Sequence, residues 1–228
     1  MLIREGDTRT ASIDILLAAT LTLVAGAVNS AGFLAYGYFS ANMTGNVSML
    51  SDMLSVWHTN AALAFLVIIA MFILGAFIAS LFIQAGKRRQ LRNVYALTLA
   101  AEAALLLLIG VALGMRMFAS SGILVVGLLS LAMGLQNAAS TRISGSRVRT
   151  THVSGIATDI GIGLAILAGA DPAAGRPEIV QRLWLHLVTI VSFALGGILG
   201  VLGFQALGGG VFCLIALFLF GLSARYMA

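Results

Sequence analysis

The chain is short of almost everything a water-facing protein needs. Only 9% of its 228 residues are Asp, Glu, Lys or Arg, against roughly a quarter in soluble domains. A surface that poor in charge cannot cover a globule in water, so a soluble fold is excluded. A single cysteine, Cys213, excludes an internal disulfide and leaves the redox compartment unreadable. Two prolines and no low-complexity tract leave little room for disorder. Three histidines, no two at ligand spacing, and one thiol give no metal site. No nucleophile elbow, phosphate loop or carboxylate cluster points to catalysis, so neither an enzyme nor a cofactor is expected. The net charge of +5 comes from 13 basic residues in short gaps between apolar runs, with no aromatic-interleaved face for nucleic acid.

What is present is apolar length. Hydrophobic residues make up 60% of the chain and mean hydropathy is +1.05. A window of about 19 residues finds spanning runs at 13–36, 61–86, 94–115, 122–141, 183–206 and 209–226. Asp14 at the start of the first run, and only a weak Ala25-Gly26-Ala27 cleavage signature, make that run a retained helix and not a signal peptide. Two further segments, 44–57 and 152–169, are apolar but short or rich in Gly, Ser and Thr.

Positive charge decides what those two segments do, because Lys and Arg of short loops stay cytoplasmic. If both cross, Arg4, Arg9, Arg116, Arg176, Arg182 and Arg225 lie inside, while Lys87, Arg88, Arg89, Arg92, Arg142, Arg147 and Arg149 lie outside. That split shows no bias. If both dip in and return, only Arg116 is outside. The expectation is therefore an all-α polytopic membrane protein with six transmembrane helices, two re-entrant half-helices and both termini cytoplasmic. Irregular backbone at membrane depth must be buried or line a wet cavity, so a polar interior is implied.

The chain also resembles itself. Gly26-Ala-Val-Asn29 recurs as Gly134-Leu-Gln-Asn137 at an offset of 108, and Thr44-Gly45 as Ser154-Gly155 at 110. Phe72-Ile-Leu-Gly75 returns as Phe193-Ala-Leu-Gly196 at 121, after a hydrophilic insertion from Asp171 to Glu178. Residues 1–116 and 117–228 then form two repeats with three true spans each. An odd number of crossings inverts the second repeat, an architecture common among secondary transporters.

Each short segment begins with capping chemistry: Asn42-Met-Thr44-Gly45-Asn46 in the first half, Thr151-His-Val-Ser154-Gly155 in the second. A helix should begin near Met43 or Thr44. Two such N-termini near the midplane, each carrying about half a positive charge, would favour an anionic or carbonyl-bearing solute. Asn29, Gln136 and Asn137 would line the same cavity, or alternatively join helices by hydrogen bonds. Ionisable groups in hydrocarbon are functional candidates, and Glu102 and Asp159 are read as proton-coupling carboxylates, with an interhelical hydrogen-bonded acid as the structural alternative for Glu102. Asp52 sits too near the interface to weigh much. Arg142, Arg147, Arg149 and His152 either draw anions to the inner mouth or anchor the loop at the headgroups. His58 and His186 read as interfacial residues at helix ends. Gly75-x-x-x-Ala79 and Gly196-x-x-x-Gly200 let long helices pack closely.

Three stretches carry a resemblance: Gly32-Phe33 through Phe39-Ser-Ala-Asn-Met-Thr-Gly-Asn46, then Ala132-Met-Gly-Leu-Gln-Asn137, then Thr150-Thr-His-Val-Ser-Gly155. Together they make the chain similar, over most of its length, to the YoaK-like family of small bacterial inner-membrane proteins. The resemblance implies a polytopic fold in a bacterial inner membrane and implies no substrate. Members commonly carry an acid where this chain has Asn29, which leaves Asn29 a neutral hydrogen-bonding residue.

The function expected is a small secondary transporter for a small polar or anionic solute, held between opposed half-helix N-termini, with proton coupling and a second protomer both compatible with the sequence. A passive small-solute channel and a non-transporting lipid-binding or interaction protein are the alternatives. A titratable group at the midplane favours the carrier, and broken segments packed dry would favour the last.

Overall fold

In a computed structural model of the chain, residues 1–115, 117, 122–169 and 175–227 are described. Arg116, the one basic residue expected outside, and Asp171 of the hydrophilic insertion lie outside the described residues. Those described form a short 3-10 turn at Gly6–Thr8 and eight helices, with no strand among them. They are α1 (Ala11–Tyr36), α2 (Met43–Ser55), α3 (Thr59–Arg88), α4 (Val94–Gly114), α5 (Gly122–Ile143), α6 (Val153–Ala168), α7 (Arg176–Leu207) and α8 (Gly210–Ala224).

Five of these, α1, α3, α4, α5 and α7, are long and apolar enough to cross a bilayer. The chain is a multi-pass membrane protein in contact with lipid. These five correspond to the first five expected spans. The sixth, expected at 209–226, is α8, whose 15 residues reach about 22 Å at 1.5 Å per residue. Gly208 and Gly209 before it delay its start. α2, with 13 residues, and α6, with 16, are short of the roughly 30 Å hydrocarbon core as well.

Local chemistry sets the boundaries. α1 stops at Gly37, which takes φ +76° and donates its N–H to the Phe33 carbonyl, a left-handed closure that glycine alone accepts without strain. α2 starts at Met43, as expected, because Asn42 Oδ1 accepts the Gly45 N–H at 3.1 Å. α7 starts seven residues earlier than the apolar run suggests. Pro177 stands in its first turn with Glu178, a proline whose missing donor and fixed φ suit that position and a carboxylate that favours the positive end of the helix.

The helices are held by backbone-to-backbone crossings at glycine. A Cβ on Gly26 would strike the Phe193 carbonyl, and one on Gly196 would strike the Leu23 carbonyl, so α1 and α7 touch through their main chains. α5 and α3 meet the same way, Gly134 against the Phe72 carbonyl and Gly75 against the Leu131 carbonyl. The four contacts are two contacts made twice. Positions 23 and 26 match 131 and 134 at an offset of 108, and 72 and 75 match 193 and 196 at 121. Each half thus lends its first helix to the second long helix of the other. α4 packs on α8, α2 on α3, and α6 on α7.

The short helices turn back beside the long ones. Asn29, seven residues before the end of α1, accepts the Ala41 N–H at 2.9 Å, so the chain reverses and runs down the last two turns of α1. Asn46 then donates to the Phe39 carbonyl at 2.9 Å. In the second half Gly163 faces Leu183 and Asp159 faces His186, which makes α6 antiparallel to α7. One end of the bundle is basic: Glu5 takes hydrogen bonds from Lys87 and, at 2.8 Å, from Tyr95, while Arg147 reaches Asp14 and the Gly6 carbonyl, each at 2.7 Å.

Gly134→Ala is expected to cost about 1–3 kcal/mol, the usual range for overpacking, seen as a lower midpoint in thermal unfolding of purified protein. Gly127→Ala on the same helix, whose added methyl would meet only Met71 and Val67 side-chain atoms at 3.5 and 3.6 Å, is expected to leave the midpoint in place. Equal effects of the two would contradict the crossing.

Candidate functional site

The candidate residues of the two short helices do not share one neighbourhood. α2 packs on α3 and α6 on α7, and the two are not packed on each other. In the first half Asn42 and Thr44 are exposed, Gly45 faces the Asn42 side chain, and Asn46 is buried against Phe39. In the second half Ser154 is exposed, Thr151 half-buried, and Gly155 lies against the His152 ring. Asn29 is committed to Ala41. Gln136 donates to the Leu21 carbonyl at 2.5 Å, tying α5 to α1. Its Oε1 and the Asn137 Oδ1 are both buried without a partner. Glu102, midway along α4, is 0% exposed and neither carboxylate oxygen has a hydrogen-bond partner.

A cleft opens elsewhere, at the basic end. About 570 Å³ lies between the start of α1, the loop Gly145–Arg147, one face of α6 and the first three turns of α7. A second space of about 390 Å³ follows the first turn of α6 past Arg149, His152, Gly155 and Thr158. Ser146, Arg147, Asp159 and His186 line both, so the two adjoin and lead from the basic end to the start of α6. Of the sequence-based candidates this region gathers Gly155 and Asp159, together with Arg147, Arg149 and His152 of the segment before α6; no α2 residue lines it.

Its mouth is built by a buried charge cluster. Arg9 Nε donates to Asp14 Oδ1 at 2.5 Å and Arg147 Nε to Asp14 Oδ2 at 2.7 Å. The Arg9 and Asp14 side chains are 0% and 5% exposed. Desolvating such ions is costly unless their remaining donors and acceptors are met. They are: Arg9 also donates to the carbonyls of Met1 and Arg4 at 2.7 Å and of Ile13 at 3.3 Å. The cluster therefore fixes the N-terminal segment and the α5–α6 loop to the first turn of α1. Deeper in, His186 Nε2 is 3.9 Å from Asp159 Oδ2, too far for a hydrogen bond and near enough for attraction.

Sequence reasoning passed over His186 as a helix-end residue. It is the eleventh residue of α7 and only 8% exposed, because the helix starts at Arg176. The pair Pro177-Glu178 was the signal that could have moved the boundary. The Arg9–Asp14–Arg147 cluster carries no such signal, since 133 residues separate Asp14 from Arg147. Among the described residues no three His, Cys, Asp or Glu side chains gather as metal ligands.

Comparison with known proteins agrees with this membrane architecture. The chain belongs to the family described as Protein of unknown function (DUF1275), which matches residues 17–224. It is 30% identical over 142 residues to UPF0700 transmembrane protein YoaK of Bacillus subtilis (strain 168), a match covering 61% of this chain and 62% of that relative. The aligned region thus spans less than two thirds of the relative's own length. No solved structure matches the chain.

Two outcomes follow for the basic end. Asp14→Asn leaves two guanidinium groups facing each other with one of them buried, and is expected to cost about 3–5 kcal/mol in unfolding measurements; a loss under about 1 kcal/mol would mean the cluster is solvated. Partial burial pushes the Glu5 carboxyl up, but the hydrogen bonds from Lys87 and Tyr95 outweigh it and hold Glu5 below the ordinary carboxylate range. A depressed pKa stabilises the folded state above the ordinary value and loses that contribution as pH falls through the lowered one. The protection of residues 1–10 against hydrogen exchange, corrected for the intrinsic rate at each pH, is therefore expected to fall on acidification through and below the carboxylate range, and Glu5→Gln to reduce that fall.

Proposed function

We propose that this protein is a small secondary transporter of the bacterial inner membrane, with both termini cytoplasmic, moving a small polar or anionic solute and catalysing no covalent chemistry. The observation that carries the reading is the cleft running from the basic end to the first turn of α6. In lipid, a polar passage that reaches the exposed start of a short helix must be wet or filled, and a passage open to one end is what a carrier needs in one of its two states.

The packing supports six crossing helices, α1, α3, α4, α5, α7 and α8, with α2 and α6 entering and returning. Asn29 to Ala41 fits a return on the first side and the antiparallel α6–α7 pair fits a return on the other. The reciprocal glycine crossings support two inverted repeats, residues 1–116 and 117–228. Rocking one repeat on the other would shift α1 and α3 against α7 and α5 about the points where their main chains meet at glycine. Asn42, Thr44, Gly45 and Asn46 would then serve the opposite opening as Thr151, Ser154, Gly155 and Asp159 serve this one. Asn29, Gln136 and Asn137 hold the midplane, and Glu102 is a candidate for proton coupling. A second protomer would cover the exposed flanks of α2 and α6.

Release from proteoliposomes tests the reading. Vesicles are loaded with a defined mixture of carboxylates, amino acids, nucleobases and sugars, and efflux is followed by mass spectrometry. Saturable release of one chemical class, accelerated by the same class outside, is expected. Unsaturable release of several classes would mean a channel, and retention of every compound would exclude transport of these classes.

A further inference from the structure

The loop between α5 and α6 holds a residue in a conformation that its side chain resists. Gly145 closes α5 at φ +60°, as a glycine readily does, but Ser146 follows at φ +68°, and a residue with a Cβ rarely enters that left-handed region. Such a conformation persists where its surroundings impose it, and it gathers at switch segments. Here the surroundings are the ties of the next residue. Arg147 donates to Asp14 and to the Gly6 carbonyl, each at 2.7 Å, and lies 3.7 Å from Asp7. All three partners belong to α1 and the segment before it. Among the described residues Arg147 has no tie to α6 or α7, whose faces form the opposite wall of the cleft.

The piece able to move is short. Ser144 and Val148 are 0% and 1% exposed, and the Ser144 hydroxyl accepts the Val148 N–H at 2.9 Å, so only Gly145, Ser146 and Arg147 stand clear of the core. Releasing Arg147 leaves Asp14 its buried pair with Arg9, and no carboxylate is stranded. The opposite wall offers a second carboxylate. Asp159 borders both parts of the passage, as Ser146 and Arg147 do, and its side chain is 56% exposed. Its one basic neighbour within ion-pair reach, among the described residues, is His186 at 3.9 Å. Glu178 borders only the wider part, with Arg182 one turn on, and Arg149 only the narrower. Arg147 and Asp159 are thus the arginine and the carboxylate that meet the passage where its two parts join.

We propose, resting on the transport reading above, that Arg147 is a gate with two docking positions. Tied to Asp14, it holds the loop against α1 and the passage is continuous. Turned to Asp159, it lays an ion pair across the junction, lets Ser146 return to negative φ and shuts the narrower part off from the basic end. The same exchange gives up the contact of Arg147, in the second half, with Asp14 and Gly6 in the first, and so frees the halves to move at this end. One side chain shared between two carboxylates supplies the pair of discrete arrangements that gating needs.

The gate can be read without any solute. In a Cys213→Ala background a thiol is introduced by Thr158→Cys, at a position that lines the narrower part only, and its reaction with methyl methanethiosulfonate is timed on purified full-length protein in nanodiscs. The reagent is uncharged and rates are taken on the thiolate plateau, so a neighbouring charge alters neither encounter nor ionisation. Asp159→Asn removes the closed position and is expected to speed the reaction by up to about fivefold, the effect of one part-exposed ion pair on a two-state equilibrium. Ser146→Gly relieves the open loop of its strain and is expected to speed it as well. Asp14→Asn is expected to slow it, the reverse of what unfolding does. In an Arg147→Gln background Asp159→Asn is expected to change nothing further, whereas in an Arg149→Gln background its effect persists. An Asp159→Asn rate equal to that of the parent, an effect that survives Arg147→Gln or is removed by Arg149→Gln, or a slower reaction in Ser146→Gly would each overturn the proposal. Asp159 and Arg149 are exposed, so the decisive arms do not depend on how well Asp14→Asn folds. A carrier gated in some other way would still release its solute saturably in the loading assay, which separates failure of the gate from failure of the transport reading.

Discussion

Backbone contact at glycine is the constraint on which this structure depends. Inside a bilayer the hydrophobic effect gives no reason for one apolar helix to prefer another over lipid, so close packing has to supply the attraction. Four glycines, Gly26, Gly75, Gly134 and Gly196, bring main chains of α1 and α7, and of α3 and α5, into direct contact. The rest is arranged around those two crossings. α4 and α8 pair alongside, and the two short helices are carried on α3 and α7, the outer member of each crossing.

Once the crossings are fixed, the segments that turn back need donors and acceptors of their own. In the first half they come from amide side chains: Asn29 receives the Ala41 N–H and Asn46 supplies the Phe39 carbonyl. The second half is built differently at the matching place, with the Asn137 Oδ1 unpaired and a passage lined by Arg147, Asp159 and His186 instead. The two matching segments thus differ in chemistry, the first closed by its own amide hydrogen bonds and the second lining a cleft.

Much of the fold was legible in the chain because its signals are local. Apolar run length marked the long helices, Asn42-x-x-Gly45 marked the start of α2, and the recurring Gly-x-x-Asn and Phe-x-x-Gly elements marked the glycines at which α1 meets α7 and α3 meets α5. The cleft was far less legible. Gly155 and Asp159 were singled out, but His186 looked interfacial until α7 proved to begin at Arg176, and the tie between Asp14 and Arg147 spans 133 residues with no periodic trace. Hydropathy reads how long a helix is and says nothing about which helix lies beside it. That is why the expected meeting of all the polar candidates at one point gave way to two separate sets, one on α3 and one on α7.

The interleaving of the halves bears on how the molecule is made. α1 emerges from the ribosome first, yet its main partner α7 is among the last segments to be synthesised. During translation the early helices wait in lipid without the surface they are shaped for, and final docking is a late, concerted event with high sequence separation. A chain stopped before Phe193 lacks the α7 side of its principal joint, which gives the membrane's quality-control proteases a simple mark by which to know an unfinished molecule.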